Sequence, residues 1–181
     1  MVSKDIVKEH LFDTVGFKNR QEKVALGIAA LELMYHFANA QLEVGLSIIL
    51  ENNFENLSKP GLLKLIEKYN CRTLMVRFHT ERTVLAERFL KRDKSPERHR
   101  GHVINTQYPE LPPCTEPVIN KNDTLNFESN LIYPQSYFTT MEERGMENFS
   151  IGCQEIIVDT TDFSKVSYEA VFHEILVCLG C

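Results

Sequence analysis

The stretch Leu46-Ser47-Ile48-Ile49-Leu50-Glu51-Asn52-Asn53 decides how this chain is read. A short run that is apolar on both faces and stops abruptly at a carboxylate and amides is the pattern of an interior parallel strand with a polar end. Helices flank it. Upstream, Val24, Ile28, Leu31, Tyr35, Ala38 and Leu42 recur at intervals of three and four. That spacing predicts a long helix with one buried face, capped by Asn19 and running to about Val44, with Gly45 as its stop. Downstream, residues from about Ser58 to Tyr69 have helical spacing, with Pro60 tolerated in the first turn. Further out, Arg72 to His79 reads as a strand and Glu81 to Arg92 as a helix through Val84, Leu85, Phe89 and Leu90. Glu155 to Val158 is a last strand, and Ser164 or Ser167 opens a final helix to Leu179. At the other end, Val2-Ser3 closes a strand, Lys4-Asp5 is a polar turn, and Ile6 to Phe12 is a short helix ended by Gly16. Strands alternating with helices predict an α/β domain whose largely parallel sheet is covered on both faces.

The 181 residues suit a single domain spanning 1–181. A hydrophobic fraction of 43% and a charged fraction of 25% are ordinary for a globular protein. The formal net charge of −5 argues against general binding to a nucleic-acid backbone. No apolar run approaches the ~20 residues that span a bilayer, and no signal-peptide stretch is visible. Cys71, Cys114, Cys153, Cys178 and Cys181 are odd in number and scattered, as expected of reduced thiols in a cytoplasm. Cys178 and Cys181 have C-x-x-C spacing without a second ligand pair, and read as thiols near a C-terminus rather than a zinc site. His79, His99, His102 and His173 show no metal-ligand spacing. From about Asp93 to Gly152 the rhythm breaks: the segment holds six of the seven prolines and no lasting periodicity. A loop this long is functional or partly disordered. Its Tyr108, Phe127, Tyr133, Tyr137, Phe138 and Phe149 either wall a substrate pocket or form a satellite core that fastens the loop down.

In parallel sheets, ligands bind beyond the carboxyl ends of the strands. Lys4-Asp5, Glu51-Asn52-Asn53 and Asp159-Thr160-Thr161-Asp162 all fall there. Asp5 is either a carboxylate that accepts a proton from a substrate hydroxyl or a helix N-cap. Glu51 either holds Mg²⁺ through water or is a solvated strand-end acid. Basic groups gather between Arg88 and Arg100, with Arg88 and Arg92 on one helix face. These either close over a triphosphate or complement the end of the helix dipole.

Taken together, Val2-Ser3-Lys4-Asp5, the stretch Ser47 to Phe54, the Arg88 to Arg100 segment and Ile157-Val158-Asp159-Thr160-Thr161 resemble P-loop kinases, nearest the polynucleotide-kinase and zeta-toxin-like branch, whose members are often labelled only as AAA-type ATPases or predicted kinases. The resemblance covers most of residues 1–105 and 153–179, and order and spacing carry it. It implies a three-layer P-loop sandwich. Asp5 would be the acceptor-activating residue, Glu51 the acid that helps place Mg²⁺, and Arg92 a lid arginine helped by Arg88, Arg98 or Arg100. Asp159, Thr160 and Thr161 would lie near the adenine of ATP. The long insertion, 106–150, would set substrate choice.

The family's G-x-x-x-x-G-K-S/T loop has no match among the eight glycines of this chain. In the family the first strand is central, in the order 2-3-1-4-5, so the resemblance implies a missing first strand and unpaired neighbouring edges. Such edges favour a homo-oligomer unless another segment fills the gap. The expected function is ATP-dependent phosphoryl transfer to a hydroxyl of a small molecule, nucleotide or nucleic-acid end, disabled without the loop. The alternative is a non-catalytic binding domain on the same fold; a nucleotide hydrolase would use the same site.

Overall fold

The computed structural model describes residues 1–113 and 135–180. Strand β1 (Val2–Ser3) runs straight into helix α1 (Lys4–Val15), because Ser3 is the N-cap and its Oγ accepts from the Ile6 N–H at 3.5 Å. Lys4 and Asp5, expected as a turn before a helix at Ile6, are therefore the first turn of α1. The N-cap reading of Asp5 is thereby corrected: a serine two residues earlier holds that position. Helix α2 (Arg20–Glu43) is capped as expected by Asn19, whose Oδ1 accepts from the Glu22 N–H at 2.9 Å. Glu22 reaches back to the Lys18 N–H at 2.7 Å. Helix α3 (Lys59–Tyr69) carries Pro60 in its first turn and ends at Asn70 in the left-handed conformation, φ 48°.

Strand β2 (Leu50–Glu51) pairs in parallel with β1, Val2 opposite Leu50 and Ser3 opposite Glu51. The expected strand over 46–50 is thus shorter and later. A strand persists only where a partner offers hydrogen bonds, and β1 has two residues to offer. Strand β3 (Leu74–His79) pairs in parallel with β4 (Gln154–Asp159) over its whole length. The sheet is therefore two separate two-stranded parallel ribbons, β1–β2 and β3–β4. They share one core: Leu31, Met34, Tyr35 and Ala38 of α2, Leu62 and Leu65 of α3, and Phe149 bury together, with Val2, Leu50 and Met75 packed against them. Burial of these side chains is worth roughly 2 kcal/mol each. Side chains alternate along a strand, so Leu74, Val76 and Phe78 face away from that core. Helix α7 (Tyr168–Leu179) packs on that far side, where Gln154 Nε2 lies 2.8 Å from Cys178 Sγ.

Helix α4 (Arg82–Asp93) follows β3. The segment expected to be irregular contains α5 (Arg100–Val103) and α6 (Gln135–Glu143). Its described aromatic side chains serve as core. Phe138 and Phe149 are buried, Phe149 stacks on Phe54 at 5.6 Å, and Tyr108 packs against a second cluster of Phe12, Phe17 and Ile104. Phe127, Tyr133, the Tyr137 side chain, Cys114 and Cys181 lie outside the described residues. No helix among the described residues is long and apolar enough to cross a membrane.

Candidate functional site

The carboxyl end of β1–β2 gathers Ser3, Lys4, Asp5 and Glu51. The register puts Ser3 beside Glu51, and the buried Ser3 hydroxyl donates to the Glu51 carboxylate. Asp5 is exposed in the first turn of α1, where the N–H groups of the helix favour a negative charge. One turn on, Lys8 lays its stem over Gly27 of α2 and its ammonium 5.4 Å from the Phe12 ring centre. Burial lowers the pKa of Lys4 and of Lys8, and the positive charges of Lys4, Arg98 and Arg144 depress Lys8 further. After Glu51, Asn52 carries a buried Nδ2 without a hydrogen-bond partner, a donor left over at a strand end.

The carboxyl end of β3–β4 is tied shut by threonines. The Thr160 N–H and Oγ1 donate to the His79 carbonyl at 2.7 and 2.8 Å, the Thr80 and Thr160 hydroxyls meet at 2.7 Å, and Thr161 Oγ1 accepts from the Glu81 N–H. Asp159 turns inward on its own loop, accepting from the Thr161 N–H at 2.8 Å. Arg88 of α4 donates to the Thr160 carbonyl at 2.7 Å and the Thr161 carbonyl at 3.0 Å, and stacks 4.2 Å from the Phe163 ring. Arg88 is therefore a clamp that holds α4 to the end of β4.

The remaining basic residues divide. Arg100 forms a two-pronged pair with Glu110, at 2.5 and 2.7 Å. Arg92 pairs with its neighbour Asp93 at 2.9 Å and lies over the Phe89 ring. Arg98 is mostly buried, its Nε without a hydrogen bond and in a long ion pair with Asp93 at 3.7 Å. The residues just after it dock on α1: His99 meets Asp13 at 3.0 Å and His102 meets Glu9 at 2.8 Å. Below them Lys23 of α2 donates to the His102 and Ile104 carbonyls and to Asn105, so a buried ammonium anchors this connection. The structure thus brings Asp5, Glu51 and Arg98 to the β1–β2 side and Asp159, Thr160, Thr161 and Arg88 to the β3–β4 side. Arg92 and Arg100 are engaged with local carboxylates.

Sequence reasoning passed over Lys8, Lys23 and the Glu55–Arg144 pair. Glu55 is buried and takes both prongs of Arg144, at 2.5 and 2.6 Å, which fastens the chain beyond α6 to the end of β2. A signal existed for Lys8: Lys4, Lys8 and Phe12 fall on one stripe of α1. Lys23 and Arg144 left none, since their partners are distant in sequence.

No protein-family model matches the chain, and no curated protein matches it. Among solved structures, a crystal structure titled as a "putative kinase" from Chloroflexus aurantiacus J-10-fl matches with a TM-score of 0.67 at 22% sequence identity, over 96% of this chain and 80% of that one. The likeness is one of fold, and this chain has an α/β kinase-like fold.

A triphosphate needs a turn of backbone N–H donors opening a helix. The segments that follow the described strands, 4–5, 52–58, 80–82 and 160–166, contain no glycine. Among the described residues no group of His, Cys, Asp or Glu gathers at metal-ligand spacing either. The described strand ends therefore supply no glycine-rich turn of the kind that cradles ATP·Mg²⁺.

Proposed function

We propose that this chain forms the acceptor-binding and lid portion of an ATP-dependent phosphotransferase of the P-loop kinase type, with the phosphate-binding loop carried on a further strand and helix. The observation that carries this reading is the arrangement of the strand ends. Asp5 and Glu51 lie at one ribbon and the Asp159–Thr161 turn at the other, with a free edge on each ribbon. A parallel strand seated between β2 and β3 would join the ribbons into one sheet of a three-layer sandwich and bring both ends to one cleft. The uncovered apolar surface supports such an addition. Phe78 on the α7 side of β3 is 68% exposed, and Phe172 and Val177 of α7 are 63% and 61% exposed. A fifth of the Chloroflexus chain lies outside the overlap, which is room for a strand and a helix.

In this reading Asp5 accepts the proton of an acceptor hydroxyl on a small molecule, nucleotide or nucleic-acid end, and its exposed place in the first turn of α1 leaves it free to do so. Glu51, oriented by the Ser3 hydroxyl, is the carboxylate available to water on a metal ion. Arg92 is the lid cation, and Arg88 holds the Asp159–Thr161 turn in shape for a base to lie against it. The test is transfer of labelled γ-phosphate from ATP by the polypeptide that includes the further strand. Asp5→Asn should lower transfer by about a hundredfold or more while ATP affinity stays the same. Equal losses of both would remove Asp5 from the acceptor role. The absence of a triphosphate cradle among the described residues favours a second reading, a non-catalytic binding domain on this fold, which predicts a bound ligand and no ATP turnover.

A further inference from the structure

We propose that Lys4, Lys8 and Arg98 form an anion site on the flank of α1 that takes a phosphate group of the acceptor, beside the carboxylate of Asp5. The inference rests on the phosphotransferase reading for the word acceptor and on the geometry for the site.

Lys4 and Lys8 are one helical turn apart on the same face of α1, three or four residues from Asp5 or next to it. Both are partly buried, and neither makes a hydrogen bond or ion pair. The Lys8 side chain passes over Gly27, and its ammonium lies 5.4 Å from the Phe12 ring centre. Arg98 comes to the same flank because His99 and His102 bind Asp13 and Glu9 of α1; its buried Nε makes no hydrogen bond and pairs only loosely with Asp93, at 3.7 Å. Arg144, the next cation, is fully occupied by Glu55. The carboxylates within reach are already in use or outnumbered: Glu9 bonds His102, Asp93 lies between Arg92 and Arg98, and Asp5 is one charge against three cations. Partly buried cations held close together raise one another's energy, and a dianion bridging them offsets that cost. Burial lowers the pKa of Lys8, and the charges of Lys4, Arg98 and Arg144 lower it further against the opposing charge of Asp5. A phosphomonoester meets both demands, charge and several acceptor oxygens, and Arg98 supplies a planar donor for it. The hydroxyl that Asp5 would activate then belongs to a phosphorylated alcohol.

The probe is sodium phosphate, titrated calorimetrically into the chain without nucleotide, with ATP titrated in parallel. Phosphate should bind in the millimolar range or tighter, about tenfold weaker in Lys8→Met and in Arg98→Gln, with Lys8→Arg restoring most of the affinity and added salt weakening it. Lys8→Met keeps the apolar stem, and its unfolding midpoint should equal or exceed that of the parent. Equal phosphate affinity in parent and Lys8→Met, or no binding at all, overturns the site. A loss of ATP affinity as large as the loss for phosphate assigns the cations to the donor and overturns the acceptor role. Because the phosphate titration needs neither nucleotide nor turnover, failure of the phosphotransferase reading would leave the site standing.

Discussion

Replacing Arg88 by alanine separates a structural clamp from a lid residue. Its guanidinium makes two bonds to main-chain carbonyls, at 2.7 and 3.0 Å, and lies 4.2 Å from Phe163. Hydrogen bonds to a charged group contribute about 1.5–3 kcal/mol each when well shielded. Arg88 and Thr161 are partly exposed, so water replaces part of what is lost, and the low end applies to one bond while the other counts for less. The ring contact adds about 0.5 kcal/mol at such a site. The sum is about 2–3 kcal/mol, taken from a total stability of roughly 5–15 kcal/mol. In urea, with a slope of about 2 kcal/mol per molar, the midpoint should fall by about 1–1.5 M. Arg88→Lys should recover little, since an ammonium cannot fork to both carbonyls or stack on the ring. A midpoint that moves by less than about 0.2 M in Arg88→Ala would refute the clamp and return Arg88 to the lid.

The junction of α5 with α1 should be sensitive to acid. Burial, together with the charges of Arg98, Lys8, His99 and Lys23, holds the His102 imidazole down to about 3, so the folded ring stays neutral. The unfolded chain takes up that proton near pH 6.5, so stability is lost as pH falls below 6.5, by up to about 1.4 kcal/mol per pH unit. Urea midpoints at pH 6.5 and 5 should differ in the parent and converge in His102→Gln; an unchanged difference would remove His102 as the cause. Gly61→Ala should cost about 2 kcal/mol, because the new Cβ would overlap the Tyr35 ring, whose hydroxyl donates to the buried Ser58 carbonyl at 2.7 Å. A thermal midpoint within a degree of the parent would show that Tyr35 moves aside freely.

Much of this fold was legible in local patterns. The α2 face was readable in part: Leu31, Tyr35 and Ala38 bury as their spacing predicts, whereas Val24 and Ile28 are exposed and Ala30 and Met34 are buried instead; the Asn19 and Pro60 signals depend only on near neighbours. The strand over 46–50 was misjudged because apolar character cannot reveal how long the partner strand is, and β1 is two residues long. Lys4-Asp5 looked like a turn since nothing nearby distinguishes Ser3 from Asp5 as the cap. At the candidate site, strand ends were legible and partners were not. Arg88 and Arg92 share a helix face, yet one clamps Thr160 and Thr161 from 72 and 73 residues away and the other pairs with its neighbour. Lys23 and Glu55 acquire their meaning only when the chain near Ile104 and Arg144 returns to them.

The most direct measurement is the nucleotide sequence immediately upstream of the Met1 codon, read in all three forward frames. The expected result is a short apolar strand followed by G-x-x-x-x-G-K-S/T and a helix whose apolar stripe can cover Phe78, Phe172 and Val177. A stop codon directly before Met1, with no such segment encoded in any frame, would contradict the phosphotransferase reading and leave a binding domain in its place.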